Sequence, residues 1–99
     1  MPRRRVEPRK TTICRISALW FDEEGAINTL TGLLEDRSRF GVGISVPEPI
    51  AVGTRVRICG RVRELRGIVR HCRYKSGKYF VGVHLDAEDK TWDRFGVGL

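Results

Sequence analysis

Residues 55–63 read Arg-Val-Arg-Ile-Cys-Gly-Arg-Val-Arg, and this stretch decides the fold class. Val56, Ile58 and Val62 alternate with arginines, and a period of two is typical of a β-strand with one buried face. We expect the apolar side chains to face a core and the arginines to form a wholly basic outer face. The alternation ends at Arg63 and Glu64, where we expect a tight turn.

Five other segments have strand patterns and are separated by turn-forming residues. The predicted strands cover residues 12–21, 26–34, 42–46, 65–74 and 79–85. In the first, we expect an inner face of Cys14, Ile16, Ala18 and Trp20; in the fourth, the pattern leaves the inner face ambiguous. Six strands with short connections predict an all-β unit, a six-stranded antiparallel β-barrel, because closure removes exposed strand edges.

The two ends of the chain differ from this core in composition. Residues 1–11 are basic, contain two prolines and have no apolar face, so we predict a flexible basic arm followed by a barrel domain over residues 12–99. Beyond Asp86 the chain turns acidic, and Asp86 or Thr91 could cap a short helical turn near Lys90–Phe95 in a C-terminal tail.

The composition favours an anionic partner. The formal charge is +7, and the 19 basic residues are 15 arginines and 4 lysines. The planar guanidinium group matches phosphate oxygens and the edge of guanine better than an ammonium group does. No apolar run is long enough for a membrane span, and no apolar segment follows the basic start as in a secretion signal. We therefore expect a cytoplasmic protein.

Catalytic and metal-binding patterns do not stand out in the sequence. Cys14, Cys59 and Cys72 are widely spaced, and His71 and His84 do not complete a metal pattern with them. We expect free thiols that act as small core or half-buried residues, no metal site, no cofactor and no enzymatic activity.

The stretch Glu35–Gly41 lies between two apolar runs and has two interpretations. Asp36 and Ser38 favour turns, and Gly41 permits close approach by another molecule, so the stretch is either a simple strand connection or a rigid polar lip for a ligand.

Two motifs make the chain resemble the PilZ domain family. Arg5-Val6-Glu7-Pro8-Arg9 matches the family's R-x-x-x-R, and Asp36-Arg37-Ser38-Arg39-Phe40-Gly41 matches its [D/N]-x-S-x-x-G. The motifs come in the family's order, and the second lies between two predicted strands. The resemblance implies a six-stranded barrel that binds the bacterial second messenger cyclic di-GMP, a ligand with two phosphates and two guanines.

The resemblance also implies roles for particular residues. Arginines of the arm would bind phosphate or the O6/N7 edge of guanine, Asp36 would accept from a guanine N–H, and Ser38 would contact phosphate or guanine. Gly41 would let a base lie against the barrel wall. The expected ligand-binding residues are Arg4, Arg5, Arg9, Asp36, Ser38 and Gly41, with Arg3 and His71 as possible additions.

Ordering of the arm would convert ligand binding into a shape that a downstream protein or a fused domain recognises. Two other functions stay open on the sequence. One is a basic barrel that binds single-stranded nucleic acid, which the scarcity of aromatic residues among the arginines disfavours. The other is a PilZ-like adaptor that binds only protein.

Overall fold

A computed structural model describes residues 10–61 and 63–87 and contains a closed barrel of six antiparallel strands. The strands are β1 (Lys10–Phe21), β2 (Ile27–Arg37), β3 (Gly41–Val46), β4 (Arg55–Cys59), β5 (Glu64–Lys75) and β6 (Lys78–Leu85). Around the barrel they follow the order β1-β2-β3-β6-β5-β4, and β4 pairs with β1 to close it. The predicted fold class is therefore confirmed for the part of the chain that the structure describes.

The core is built from the apolar residues that alternate along the strands. In β1, Ile16 and Ala18 are buried, and Cys14 and Trp20 pack against them at the margins, so the predicted inner face is confirmed. The other strands contribute mainly branched aliphatic side chains, which suit a pleated, half-buried surface. The largest fully buried ones are Ile16, Leu34, Ile44, Ile50, Ile58, Leu65, Leu85, Val46, Val56, Val69 and Val81.

The predicted basic strand is shorter than expected. β4 ends at Cys59, and the Gly60 N–H donates to the Arg63 carbonyl oxygen at 3.0 Å, which closes a turn three residues earlier than predicted. Arg61 and Arg63 therefore do not share the outer face of β4, because the chain has already turned towards β5. The predicted alternation is therefore confirmed for Arg55–Ile58, where the arginines are exposed and the apolar residues buried, and is wrong for Arg61 and Arg63; Val62 lies outside the described residues.

The two arginines that do lie on β4 have acidic partners. Arg55 Nη1 is 3.0 Å from Asp86 Oδ2, and Arg57 Nε is 2.8 Å from Glu64 Oε2. This outer face is therefore largely charge-compensated, which weakens the case for a nucleic-acid surface on β4.

The connection between β2 and β3 is shorter than the sequence indicated. β2 runs on to Arg37, so that only residues 38–40 join it to β3. The Ser38 N–H donates to the Gly41 carbonyl oxygen at 2.8 Å and closes the connection. Asp36 was predicted in a connecting loop, but it belongs to a strand and has paired neighbours on both sides.

Two of the connections between the predicted strands are turns. The Asp22–Gly25 turn joins β1 to β2, and Ser76 and Gly77 join β5 to β6. Both residues of the second turn have positive φ, 53° and 83°, which is the backbone geometry of a type I′ hairpin turn. No helix in the described residues is long and apolar enough to cross a membrane. The predicted arm covered residues 1–11, but Lys10 and Thr11 belong to β1 because they pair with the end of β2. The rest of the predicted arm, up to residue 9, and the predicted helical turn near Lys90–Phe95 lie outside the described residues.

Candidate functional site

A β-bulge in β2 places two carboxylates at neighbouring positions. Leu34 pairs with Ile44, but the next pair joins Asp36 to Gly43, so Glu35 is the extra residue. Its Oε2 accepts a hydrogen bond from the Ser45 hydroxyl at 2.7 Å. A bulge redirects side chains, and here it brings Asp36 opposite a glycine on the outer surface of the barrel.

A second bulge occurs in β5, on the other side of the β3–β6 pair. Val69 pairs with Val83, and the next pair joins His71 to Gly82, which leaves Arg70 as the extra residue. His71 therefore also lies opposite a glycine. The two bulges flank the same pair of strands, and Gly43 and Gly82 are paired with each other across it.

These pairings produce one continuous row across five strands: Thr11, Asp36, Gly43, Gly82 and His71. Because successive residues of a strand face opposite sides, and the neighbours of both glycines are buried, the glycines lie on the outer face. We call Gly43 and Gly82 the glycine floor. A carboxylate stands at one end of this floor and an imidazole at the other.

The side chains of the row lie over the floor. A Cβ added to Gly43 would be 2.8 Å from Asp36 Oδ1, and one added to Gly82 would overlap the His71 ring. Glycine in a strand interior often marks close approach by another group, and here the approaching groups are the two candidate ligand-binding side chains.

A cavity of about 480 Å³ lies along the row; we call it the larger cavity because it exceeds the one that adjoins it, although a cavity of about 700 Å³ lies elsewhere, beside the Asp22–Gly25 turn. Glu35 and Asp36 form its acidic side, whereas its basic side comes from β5. Its volume falls in the range of small-molecule sites, about 300–1,000 Å³. The other residues that line it are Val42, Ile44, His71, Arg73, Tyr74, Lys75, Phe80 and Val81.

Ser38 and Gly41 lie in an adjoining, smaller cavity of about 190 Å³. The Ser38 hydroxyl oxygen accepts from the Phe40 N–H at 3.4 Å, so its proton is available to another acceptor. A Cβ on Gly41 would collide with the Val83 carbonyl oxygen. Gly41 is thus needed for packing of β3 on β6 as well as for access. The two cavities share Val42, His71 and Gly82.

The structure therefore brings together four of the predicted site residues, although not in one cavity. Asp36 lines the larger cavity, Ser38 and Gly41 line the smaller one, and His71 lines both. The predicted arginines, Arg3, Arg4, Arg5 and Arg9, lie outside the described residues. The described chain begins beside the site, since Lys10 pairs with Arg37 and Thr11 with Asp36.

The sequence interpretation missed Glu35, Arg73, Lys75, Phe80 and the glycine floor. The two bulges determine where these residues face, and no residue type marks a bulge in the sequence. The sequence did contain a signal for the glycine floor, because Gly43 and Gly82 each interrupt an apolar strand and have branched residues on both sides.

None of the three cysteines lines either cavity. Cys14, Cys59 and Cys72 are free and half-buried. Burial raises the pKa of the Cys59 thiol, and the nearby Glu64 carboxylate adds to this effect while Arg57 opposes it. A raised pKa keeps the thiol protonated and poorly nucleophilic. Among the described residues, no group of three or more His, Cys, Asp or Glu side chains could hold a metal ion.

Comparisons with protein-family models and with curated proteins give no match to this chain. The resemblance to PilZ domains therefore rests on the two sequence motifs. The second of them, Asp36 to Gly41, lies at the two cavities. Its three motif residues are spread over the end of β2, the connection and the start of β3.

Proposed function

We propose that this protein binds cyclic di-GMP across the two cavities and acts as a receptor without catalytic activity. The observation that carries the proposal is the row in which the Asp36 and His71 side chains lie over the paired glycines, with Ser38 and Gly41 in the adjoining cavity. An acceptor and a donor at neighbouring positions of one surface suit a planar base that offers both kinds of group.

Guanine fits this arrangement chemically. Its N1–H and N2 amino groups donate to a carboxylate such as that of Asp36, and its O6 and N7 accept from donors. His71 can donate through an imidazole N–H or stack on a base. The Ser38 hydroxyl can donate to a phosphate oxygen.

The position of β1 supports a contribution from the preceding arginines. Thr11 is the strand partner of Asp36, so the described chain begins beside the row. Arg4, Arg5 and Arg9, with Arg3, are proposed to bind the phosphates or the O6/N7 edge of guanine. Their engagement would give a partner protein a surface that depends on the ligand, as expected of a cytoplasmic bacterial signalling module.

Isothermal titration calorimetry with cyclic di-GMP tests the proposal on the full chain. We expect binding by the wild type, with affinity that falls as salt rises. Asp36→Asn and Arg5→Ala should each weaken binding at least about tenfold, because each removes a charge-assisted contact. Glu48→Gln is the matched carboxylate control, since Glu48 is exposed and lines neither cavity.

The outcomes separate the candidate functions. Absence of heat with the wild type would reject the receptor and favour an adaptor that binds only protein. Equal affinity in all variants would place the ligand elsewhere on the protein. Tight binding of a single-stranded oligonucleotide that is unchanged by Asp36→Asn would instead favour nucleic-acid binding.

A further inference from the structure

The basic side of the larger cavity belongs to neither sequence motif. His71, Arg73 and Lys75 are alternate residues of β5 and therefore lie on the same face of the strand. All three line the larger cavity, together with Phe80, which pairs with Arg73 across the β5–β6 hairpin. The β5–β6 hairpin thus forms the basic wall of the larger cavity.

The cations of this wall are not neutralised by the described part of the protein. Arg55 and Arg57 on β4 each contact a carboxylate, whereas Arg73 and Lys75 form no ion pair with any residue in 10–61 or 63–87. Both side chains are exposed. A guanidinium and an ammonium group at neighbouring outward positions form a suitable site for a phosphate group.

The opposite wall presents acceptors. The bulge places Glu35 and Asp36 side by side on β2, and the hydrogen bond from Ser45 fixes the Glu35 carboxylate. Between the two walls lie β3 and β6, so β2 and β5 are separated by three strand spacings, about 14 Å measured around the barrel wall. The cavity is therefore acidic at one end and cationic at the other end.

We propose that the larger cavity is a subsite for one guanosine monophosphate unit, bound independently of residues 1–9. The Watson–Crick edge of guanine donates to Glu35 or Asp36, the base stacks on the His71 ring that covers Gly82, beside Phe80, and the phosphate contacts Arg73 and Lys75. Adenine is disfavoured, because its ring N1 is an acceptor and would face a carboxylate. This subsite extends the proposed function, and it also predicts binding of a linear mononucleotide.

The test is a titration of the ¹⁵N-labelled full chain with 5′-GMP, followed through amide chemical shifts, with 5′-AMP as the control ligand. We expect saturable shifts of the Gly43 and Gly82 amides with GMP and at least about tenfold weaker binding of AMP. Arg73→Ala should weaken GMP binding about tenfold. Arg61→Ala should change it less than twofold, because Arg61 is equally exposed but lines no cavity described above.

Lys75→Ala provides a second variant on the same wall, should Arg73→Ala fail to fold as judged by its spectrum. The proposal is overturned if GMP leaves the Gly43 and Gly82 amides unshifted, if AMP binds as well as GMP, or if the folded wall variant binds like the wild type. Binding of cyclic di-GMP without binding of GMP would overturn the subsite and leave the receptor intact. The reverse result would support the subsite and reject the receptor.

Discussion

At the scale of single residues, the site depends on glycines that leave space for their neighbours. Gly82 makes room for the His71 ring, and Gly41 makes room for the backbone of β6. The motif residues Asp36, Ser38 and Gly41 could be predicted from the sequence as a group. Glu35 and Arg73 could not, because their facing depends on pairing registers that a linear pattern does not contain.

Replacement by alanine should lower the free energy of unfolding by different amounts at Gly82 and at Gly41. In Gly82→Ala the new methyl group meets an exposed histidine ring that can rotate away, so the free energy of unfolding should change by less than about 1 kcal/mol. In Gly41→Ala the methyl group meets the Val83 carbonyl oxygen, and the loss should be about 2 kcal/mol. Urea unfolding of both variants measures the difference. A Gly41→Ala variant as stable as the wild type would contradict the close approach of β3 and β6.

At the scale of elements, the bulges explain why the inner face of β6 follows a simple alternation whereas that of β5 does not. β6 keeps a single phase, with Val81, Val83 and Leu85 buried. In β5 the buried Leu65 and Val69 precede the bulge, and the inward position then shifts to Cys72, which pairs with Val81. The ambiguous inner face of this strand in the sequence is the effect of Arg70 as an extra residue.

The first hairpin depends on one carboxylate. Asp22 Oδ1 accepts from the N–H groups of Glu24 and Ala26, both at 2.9 Å, and Asn28 donates to Oδ2. The hydrogen bond from the Ala26 backbone is the main cause that lowers the pKa of Asp22, and the Asn28 side chain adds to it. A pKa lowered by folding means that the ionised group stabilises the folded state above its unfolded-state pKa of about 3.9, and that this contribution is lost as pH falls through the folded-state pKa.

Asp22→Ala should therefore lower the melting temperature at pH 7, by about 4 °C on the scale of a lost capping residue. The difference from the wild type should narrow as the pH falls from about 4 through the lower folded-state pKa of Asp22, because the wild-type carboxylate becomes protonated over that range. Thermal unfolding followed by circular dichroism between pH 2 and pH 7 on the two proteins is the measurement. Glu23→Ala serves as the control, since Glu23 is the exposed neighbour and the structure gives it no hydrogen bond. A difference that stays constant over this range would exclude the carboxylate as its source.

At the scale of the whole molecule, stability comes from one core enclosed by the barrel. Sequence patterning was sufficient to predict this architecture, because short alternating strands without a long helix leave few other ways to bury their apolar faces. Two isoleucines that differ in exposure test whether stability comes from this one core. Ile58 is completely buried, whereas Ile27 at the end of the first hairpin is 63% exposed.

Ile58→Ala should lower the free energy of unfolding by about 2–5 kcal/mol, because it leaves a cavity in a core that cannot fully close. Ile27→Ala removes the same atoms from a surface position and should cost no more than about 0.5 kcal/mol. Equilibrium unfolding in urea gives both values. Similar losses for the two variants would be incompatible with a single core on the inside of the barrel.

The row from Thr11 to His71 takes its residues from five of the six strands. No local fragment of the chain can reproduce such an arrangement, so a molecule that recognises the row binds the native protein and not the denatured one. By mass action, such a molecule at a hundred times its dissociation constant adds about 2.7 kcal/mol to the stability of the whole protein. A thermal-shift screen of unlabelled nucleotides can therefore rank candidate messengers without any prior assumption about which of them occupies the site.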